Sequence, residues 1–349
     1  MFPIIDMHCD TVAVLNGWHA SGKNGARRNT GLRENSLHVD LLRMKSAGYM
    51  CQSFALYTDL EEIKAAGETP FAHVLALSDT FDREVGKNSD LIRPAVSASQ
   101  IEENFREGYL SALKTVEEGG VYEGSLDHLH ELYRRGVRKS TLTWNYENEL
   151  GFPNPPAKAA AVHVTPESRL DLVNGLTPVG ISFVEEMERI GMLIDISHLN
   201  DAGIRDVFLH TRSDTPVIAS HSNARGQAFH PRNLSDEMLR QIAERGGVCG
   251  INFYAAFLTE DRNVLSQSTG YQSRIEDMIA HIRYIEKTAG LDIIGLGTDF
   301  DGIGDRLEIN GAGEMQKLAD GMHRAGFSDD EIEKVFYKNV LRVYRTVLG

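Results

Sequence analysis

Several short apolar segments of the chain end in side chains that bind metal ions or carry protons. They are residues 6–10 (DMHCD), 116–119 (VEEG), 195–198 (DISH), 219–222 (ASHS) and 297–302 (GTDFDG). A hydrolytic zinc centre is built from neutral imidazoles and carboxylates and keeps one coordination position open for water. This set of side chains therefore predicts a metal-dependent hydrolase.

Individual residues in these segments suit separate roles in such a centre. His8 and Asp10 are two residues apart, so in an extended strand both point to the same face. Two metal ions roughly 3.5–4 Å apart need a carboxylate that bridges them, and Glu117 is the best placed candidate. A further carboxylate near the activated water can carry protons, and Asp299 suits that role.

Each segment taken alone has a simpler interpretation. A histidine that ends a strand more often forms ordinary hydrogen bonds, and Glu117 with Glu118 can be a solvated pair before a glycine turn. Asp299 and Asp301 can cap a helix or stabilise a turn. These simpler interpretations do not account for five such strand ends on one face of a barrel, because burying so many polar groups without partners is costly. The joint pattern favours a metal site.

The sequence gives no support for a covalent nucleophile. Cys9 lies between His8 and Asp10, so we expect it on the opposite face of the strand, in the core. Neither Cys51 nor Cys249 has a histidine at a recognisable spacing, and there is no G-x-S-x-G motif. The chemistry predicted here therefore depends on activated water.

Eight apolar runs rich in β-branched residues predict the strands that position these side chains. They span residues 4–10, 49–57, 111–117, 139–145, 192–198, 216–221, 247–254 and 293–299. Most are apolar at consecutive positions, which is typical of strands buried on both faces of a parallel sheet. Helical patterns separate most of them, so the sequence predicts an α/β fold, a (β/α)8 TIM barrel. A doubly wound open sheet usually has a glycine-rich phosphate loop after its first strand, and none follows here.

Helical periodicity and three polar segments complete the predicted barrel. The predicted helices span residues 37–47, 125–135, 180–190, 235–245, 274–287 and 329–348. Thr177 and Pro178 provide an N-cap and a first helical residue for the third helix. Residues 16–35, 146–174 and 259–272 predict long loops after strands one, four and seven, on the face where barrel sites form. His19, His163 and His230 lie in loop segments from which they could approach a substrate. No repeat or linker divides the chain, which predicts a single domain over residues 1–349.

The composition narrows the class of protein. The chain has 349 residues, of which 42% are hydrophobic and 25% charged, as in globular proteins. Its 50 acidic and 36 basic residues give a net charge of −14, which argues against nucleic-acid binding, since that requires a basic face. No apolar run approaches the roughly 18 residues of a membrane span, and the N-terminus lacks the basic region of a signal peptide. Three widely spaced cysteines indicate reduced thiols, so we expect a cytoplasmic protein.

In their order, the motifs resemble those of the membrane dipeptidase (renal dipeptidase) family, peptidase family M19. The resemblance rests on Asp6-x-His8-x-Asp10, Glu117 before a glycine pair, Asp195-x-Ser197-His198, Ser220-His221-Ser222, Pro231-Arg232-Asn233 and Asp299-Phe300-Asp301-Gly302. It covers nearly the whole chain, and the stretch LTWNYENELG at residues 142–151 is typical of the bacterial members.

The resemblance implies a barrel related to the amidohydrolases, with two zinc ions per chain. By matching motifs, His8 and Asp10 would bind one zinc ion and His198 and His221 the other. Glu117 would bridge the two ions. The spacing to the landmarks at residues 136–138 and 142–143 selects this glutamate rather than its neighbour.

The implied activity is hydrolysis of the peptide bond of dipeptides by a metal-bridging hydroxide. Asp299 matches the catalytic acid and base of the family, Arg232 matches the arginine that holds the C-terminal carboxylate of the dipeptide, and Tyr254 matches a substrate-contacting tyrosine. A planar, permanently charged guanidinium suits a carboxylate. A solvated loop arginine and a core aromatic residue are the simpler interpretations of Arg232 and Tyr254. The resemblance also suggests a homodimer.

One position departs from the family pattern. Mammalian members carry a histidine after Leu-Thr that polarises the scissile carbonyl, whereas this chain has Trp144, followed by Asn145. Trp144 offers only its indole N–H as a donor, so either Asn145 takes the substrate-facing role or a zinc ion stabilises the oxyanion. Two other functions stay open. One is an amidohydrolase acting on another amide, lactam or ester, and the other is a non-catalytic ligand-binding barrel, against which the intact ligand set argues.

Overall fold

Eight parallel strands close into a barrel, which confirms the predicted fold. The computed structural model describes residues 1–17, 31–154, 170–260, 272–304 and 306–349. The barrel strands are β1 (Ile4–Cys9), β2 (Tyr49–Tyr57), β3 (Leu110–Glu117), β4 (Val137–Thr141), β5 (Leu193–Asp195), β6 (Ile218–Ala219), β7 (Val248–Ile251) and β8 (Ile294–Leu296). The barrel closes where Asp6 of β1 pairs with Leu296 of β8.

Each barrel strand coincides with a predicted one, but several end earlier than predicted. β2 has the predicted bounds, whereas β5 and β7 end three residues before His198 and Tyr254. His198 and Asp299 have positive φ angles of 71° and 62°, which no strand residue adopts. Most of the side chains suited to metal binding therefore lie on loops just beyond the strands, at the C-terminal rim of the barrel.

Helices surround the barrel, and more of them are present than the periodicity predicts. The α-helices are α1 (Thr11–Leu15), α2 (Leu41–Ala47), α3 (Leu60–Ala66), α4 (Pro70–Lys87), α5 (Ala98–Arg106), α6 (Leu126–Arg134), α7 (Pro178–Ile190), α8 (Asp201–His210), α9 (Asp236–Glu244), α10 (Ala255–Leu258), α11 (Ile275–Ala289), α12 (Gln316–Arg324), α13 (Asp329–Glu333) and α14 (Asn339–Leu348). Short 3₁₀ turns cover Gly119–Tyr122, Leu291–Ile293 and Ala312–Glu314. Two further short pairings join Ile92–Pro94 to β3 and Gln272–Ser273 to Arg306–Leu307. No helix in these described ranges is long and apolar enough to cross a membrane.

Two helix predictions need correction, one at its start and one in its interior. The predicted helix 37–47 begins only at Leu41, because the Asp40 side chain accepts a hydrogen bond from the Arg43 N–H and caps the helix. The predicted helix 329–348 is divided by a π-helical turn at Lys334–Lys338. The start of α7 agrees with the prediction, since Thr177 accepts a hydrogen bond from the Gly180 N–H.

Charged side chains occupy the barrel interior beneath the rim. The buried Asp6 carboxylate accepts hydrogen bonds from the Thr298 N–H at 3.0 Å and from its hydroxyl at 2.7 Å, which ties β1 to the loop after β8. The buried Lys139 ammonium donates to the Met7 carbonyl at 2.5 Å and lies 3.5 Å from Asp195 Oδ2. These contacts fix the positions of the strand ends that carry the site.

His281 on α11 joins two segments that approach the rim. Its Nδ1 accepts a hydrogen bond from the Ala224 N–H at 3.1 Å, and its Nε2 donates to the Leu258 carbonyl at 3.1 Å. Burial lowers the pKa of His281 to about 4. As the pH falls, the unfolded chain takes up this proton first, so stability present above about pH 6.5 is lost between there and about pH 4.

We therefore expect His281 to make the fold sensitive to mild acid. At about 1.36 kcal/mol per pKa unit, lowering the pH from about 7.5 to about 5.5 should remove about 1 kcal/mol of unfolding free energy through this group. Urea unfolding at both pH values should show a loss about 1 kcal/mol smaller in His281→Gln than in wild type. Equal losses in the two proteins would show that His281 is not held neutral in the fold.

Candidate metal centre

The end of β1 supplies two of the candidate ligands. His8 lies in the strand, and Asp10 lies just beyond the strand, directly before α1. Both are buried, and Asp10 Oδ2 lies 3.5 Å from His8 Nε2. The two side chains therefore share one face of the site although Asp10 has left the strand.

Glu117, the last residue of β3, faces histidines on both sides. Its Oε2 lies 3.1 Å from His8 Nε2, while its Oε1 lies 3.1 Å from His198 Nε2 and 3.5 Å from His221 Nε2. The neighbouring Glu118 has a φ of 93° and turns away from them. The Glu117 carboxylate thus faces three imidazoles, one in β1 and two in the segments that follow β5 and β6.

Glu118 organises the neighbouring loops instead. Its buried carboxylate accepts hydrogen bonds from the Gly120 N–H at 2.6 Å and the Trp144 N–H at 2.9 Å, and from the side-chain amide of Asn148. These bonds connect the turn after β3 to the loop after β4. Glu118 therefore has a structural role that its place beside Glu117 does not reveal.

The two histidines that follow β5 and β6 direct their Nε2 atoms at each other, 2.9 Å apart. The opposite nitrogen of each ring has its own partner. His198 Nδ1 lies 3.2 Å from Asn145 Oδ1, and His221 Nδ1 lies 2.7 Å from the Ser220 hydroxyl. Such partners fix the ring orientation and leave Nε2 for a metal ion.

Asp195 holds the backbone that carries these two histidines. Its Oδ1 accepts hydrogen bonds from the Ser197 N–H at 3.0 Å and the Ser220 N–H at 2.9 Å. The aspartate therefore couples the ends of β5 and β6, and the Lys139 charge helps to hold its pKa at about 2 against the effect of burial.

Asp299 approaches the centre from the loop after β8. Its Oδ1 lies 3.9 Å from His8 Nε2, and its Oδ2 accepts a hydrogen bond from Asn252 Nδ2 at 3.0 Å. The loop folds closely over the site, since a Cβ added to Gly302 would lie 2.1 Å from Asp10 Oδ2 and 2.5 Å from Asp299 Oδ1. Only glycine fits at this approach.

Asp301 anchors the same loop from below. Its carboxylate accepts hydrogen bonds from the Thr11 hydroxyl and the His38 N–H, both at 2.7 Å. The loop that carries Asp299 is therefore bonded to the start of α1 and to the segment before α2.

Burial and charge shift the pKa values at the centre in different directions. Burial lowers the pKa of His198 to about 4, and the positive charge of Arg232 acts in the same direction. Burial also opposes the charged form of His8, but the carboxylates beside it, Glu117 foremost, outweigh this and raise its pKa. Burial raises the pKa of Asp299 to about 6.

The donor atoms fit a bound zinc centre. Among the described residues, both ring nitrogens of His8 and Asp10 Oδ1 are buried and form no well-directed hydrogen bond. Such orphaned groups are rare in proteins because they are costly. Two overlapping groups, His8–Glu117–His221 and His8–Asp10–Asp299, each bring their ligand atoms within 4.8 Å of one another. Cations placed among these nitrogen and oxygen donors would satisfy them, and the donor types are those zinc prefers.

A cavity of about 360 Å³ opens on the centre. Asp10, Glu117, His198 and Asp299 form its floor, and its other lining residues are Tyr57, Asp59, Glu62, Trp144, Asn145, Tyr254, Phe257, Gly302, Ile303 and Gly304. The structure thus brings the predicted Tyr254 and Asn145 to the same cavity as the ligand candidates. Trp144 packs edge-on against Tyr57 with ring centroids 4.9 Å apart and forms an aromatic wall.

Arg232 lies close to the cavity but is not one of its lining residues. It is 6% exposed, and its two terminal nitrogens donate to the Ser222 hydroxyl and the His221 carbonyl, each at 3.3 Å. Within the described chain its Nε has no hydrogen-bond partner. The guanidinium carbon lies 5.4 Å from the ring centroid of Phe257, which does line the cavity.

Of the three histidines predicted to lie in loops, the structure describes His230. His230 Nδ1 accepts a hydrogen bond from the Arg232 N–H at 3.1 Å, so it supports the arginine. His19 and His163 lie outside the described residues, as do parts of the three long loops predicted after strands one, four and seven.

Sequence reasoning missed the roles of Asn252 and Lys139 in shaping the site. Asn252 binds Asp299, and the buried Lys139 lies beside Asp195 inside the barrel. An alternation argument could have flagged Lys139, since a lysine within an apolar strand needs a buried partner. Nothing local in the sequence marks Asn252 as the partner of Asp299.

Taken together, a closed (β/α)8 barrel with imidazoles and carboxylates converging at its C-terminal rim defines a metal-dependent hydrolase. The chain belongs to the membrane dipeptidase family, peptidase family M19, whose model matches residues 1–348. This membership confirms the family resemblance of the motifs and makes the chain a metallo-dipeptidase by class.

Individual relatives agree with the family assignment. The chain is 28% identical over 320 residues to dipeptidase tcpJ of Claviceps purpurea, covering 89% of this chain and 69% of that protein. The solved structure of dipeptidase AC, a metallo peptidase of family M19, matches with a TM-score of 0.84 and 25% identity over 100% of this chain and 99% of that one. A Rhodobacter sphaeroides metallo peptidase, solved with a phosphinate mimic of the dipeptide L-Ala-D-Ala, shares the fold with a TM-score of 0.82 and 24% identity over 99% of each chain.

Proposed function

We propose that the chain hydrolyses dipeptides with two zinc ions. His8 and Asp10 would hold one ion, His198 and His221 the other, and Glu117 would bind both. The position of Glu117 carries this proposal, since its two oxygens each lie 3.1 Å from an imidazole nitrogen, of His8 on one side and His198 on the other. A ligand shared by two ions must face ligands of both.

Zinc, when bound, lowers the pKa of a coordinated water and polarises a carbonyl oxygen. Asp299 is proposed to carry the proton from the attacking water to the leaving amine, which is supported by its place in the cavity lining and by the hydrogen bond from Asn252 that holds its Oδ2. Tyr57 and Trp144 form an aromatic wall of the cavity in which the substrate would bind.

Arg232 is proposed to bind the C-terminal carboxylate of the dipeptide. Its guanidinium is buried and its Nε–H has no partner among the described residues, so a carboxylate that reached it would form a charge-assisted hydrogen bond. Tyr254, which lines the cavity with Phe257, is proposed to contact the same part of the substrate.

The proposed function is tested by amine release from a panel of L-L and L-D dipeptides, with and without a chelator. We expect zinc to restore the activity that the chelator removes. The L-D members belong in the panel because a relative with this fold binds a mimic of L-Ala-D-Ala. Bound zinc without release from any dipeptide would contradict the proposal and favour an amidohydrolase of another amide, lactam or ester.

Replacing Arg232 with alanine should reduce the kcat/KM for dipeptides by about 10- to 150-fold. A charge-assisted bond to a buried carboxylate contributes roughly 1.5–3 kcal/mol, which corresponds to this range. Initial rates on one dipeptide and on its C-terminal amide measure the effect, and the amide should respond little because it lacks the charge.

The amide also serves as the control for the wild-type enzyme. If the wild-type enzyme cleaves the dipeptide and its C-terminal amide equally well, Arg232 does not bind the carboxylate of the substrate. Lysine at this position should restore only part of the loss, because its ammonium cannot make the two-pronged contact of a guanidinium.

We also propose a cytoplasmic location. Cys9, Cys51 and Cys249 are buried and unpaired with one another, and burial raises the pKa of each thiol. Reduced thiols of this kind are typical of a reducing compartment. Cell fractionation with a cytoplasmic marker tests the location, and recovery in the secreted fraction would contradict it.

A homodimer is proposed on the family resemblance. Light scattering coupled to size exclusion measures the mass of the particle directly. A mass equal to one chain over the working concentration range would rule the dimer out.

A further inference from the structure

Asn145 contacts the candidate metal centre and also lines the cavity above it. Its Oδ1 lies 3.2 Å from His198 Nδ1. The residue lines the cavity above the centre and also the larger neighbouring cavity, which is bounded by α3 and the loop after β4. An amide carries an acceptor and a donor, so the two ends can do different work.

The contacts of His198 determine which atom of the Asn145 amide, the oxygen or the nitrogen, bonds to it. Its Nε2 faces Glu117 Oε1 at 3.1 Å and His221 Nε2 at 2.9 Å, where a metal ligand must offer a lone pair. The proton of the neutral ring then lies on Nδ1, which requires an acceptor. Among the described residues, Asn145 Oδ1 is the acceptor within reach, so the amide oxygen is bonded to His198.

This bond leaves the Asn145 amide nitrogen for the substrate. Among the described residues no hydrogen-bond partner is assigned to Nδ2, and the residue is only partly buried. Asn145 lines the same cavity as Asp299 and Glu117, where the scissile carbonyl would lie. The neighbouring Trp144 donates its backbone N–H to Glu118, which fixes the loop that presents the amide.

We infer that Asn145 has two separable roles in this chain. Its oxygen positions His198 as a ligand, and its nitrogen donates a hydrogen bond to the carbonyl oxygen of the scissile bond as negative charge develops there. The inference rests on the proposed function. It adds to that function a hydrogen-bond donor for the scissile carbonyl, supplied by the residue next to Trp144. Asn145 is a positioning residue for His198 and a catalytic residue for the substrate.

Asn145→Asp tests the donor role, because aspartate keeps an acceptor for His198 and loses the NH₂ group. Its zinc affinity, measured by competition with a chromogenic chelator, should stay within a few-fold of wild type. Its kcat should fall by about 10²–10³, the usual cost of one oxyanion donor. KM should change little, since a donor that acts on developing charge contributes mainly to kcat. A kcat near wild type, or a rise in KM that accounts for the loss, would overturn this role.

Asn145→Leu removes both ends of the amide at similar volume. It should show the same loss of kcat at saturating zinc, and in addition a 10- to 100-fold weaker affinity for one of the zinc ions, the usual effect of losing a ligand's supporting partner. Wild-type zinc affinity in this variant would overturn the positioning role. If Asn145→Leu does not fold, Asn145→Gly provides the same readout without the added apolar bulk.

Tyr146→Phe is the matched control on the same loop. The substitution removes a hydroxyl that donates to Asp59 at 3.4 Å. Tyr146 lines only the larger of the two cavities. Zinc affinity and kcat should both stay near wild type. Failure of the proposed function is distinct from these outcomes, because wild type would then bind no zinc or release no amine from dipeptides.

Discussion

Asparagine in place of Asp299 should lower kcat by about 10²–10⁴ while the protein keeps its zinc. This is the usual range for a group that transfers a proton in the transition state. Asparagine has nearly the same shape, and Asn252 can still bond to its side-chain oxygen, so the loop after β8 should hold its place. Steady-state rates at saturating dipeptide, with elemental analysis of the same sample, measure both quantities.

The zinc content distinguishes a proton carrier from a ligand. Asp299 Oδ1 lies 3.9 Å from His8 Nε2, and the three carboxylate and imidazole atoms of His8, Asp10 and Asp299 lie within 4.8 Å of one another. That geometry also permits Asp299 to bind a metal ion. Loss of zinc in step with activity would therefore reassign Asp299 as a ligand and remove the proton carrier from the proposal.

The barrel could be predicted because its strands have an unambiguous pattern. Runs such as residues 49–57 are apolar at most positions, and β2 has those bounds in the structure. Helices were harder to predict where the apolar stripe is interrupted. The 18-residue helix α4 was missed, although Thr69 caps it and Pro70 occupies its first turn, as the capping rules favour.

The site could be predicted in its residue types but less well in its backbone. A period of two places His8 and Asp10 on one face, and the two do lie together. The same period cannot show which of Glu117 and Glu118 faces the site, because the φ of 93° at Glu118 ends the regular alternation of the strand at that residue. A positive φ angle at a glutamate has no signature in a single sequence, because outside glycine such angles are enriched only at asparagine, aspartate and histidine.

Contacts between distant segments could not be predicted at all. The bond between Asn252 and Asp299 joins residues 47 positions apart, and Asn145 meets His198 across 53 positions. The sequence shows that each of these side chains can form hydrogen bonds, but only the closed barrel determines the pairs. For the same reason the burial of Arg232 could not be foreseen from its motif.

Removal of the Glu117 carboxylate should weaken the binding of both zinc ions. In Glu117→Ala we expect the content to fall from about two zinc ions per chain to below one, with activity lost in parallel. The loss in affinity should exceed 100-fold, because even a partner outside the ligand set is worth 10- to 100-fold. His198→Ala should lose mainly one ion, since His198 faces only one side of Glu117. Elemental analysis after reconstitution with zinc and buffer exchange measures the content.

Glu118→Gln is the matched control, because Glu118 is the adjacent carboxylate and is equally buried. One of its carboxylate oxygens would become an NH₂ group facing an N–H donor, the Gly120 or the Trp144 amide, which should cost about 1–3 kcal/mol of stability. Its zinc content should nevertheless remain at two. The two variants should thus show opposite patterns, since one loses metal and the other loses stability. If Glu118→Gln lost the zinc and Glu117→Ala kept it, the bridging role would belong to the other glutamate. A wild-type content fixed at one ion after reconstitution would contradict the two-zinc centre itself.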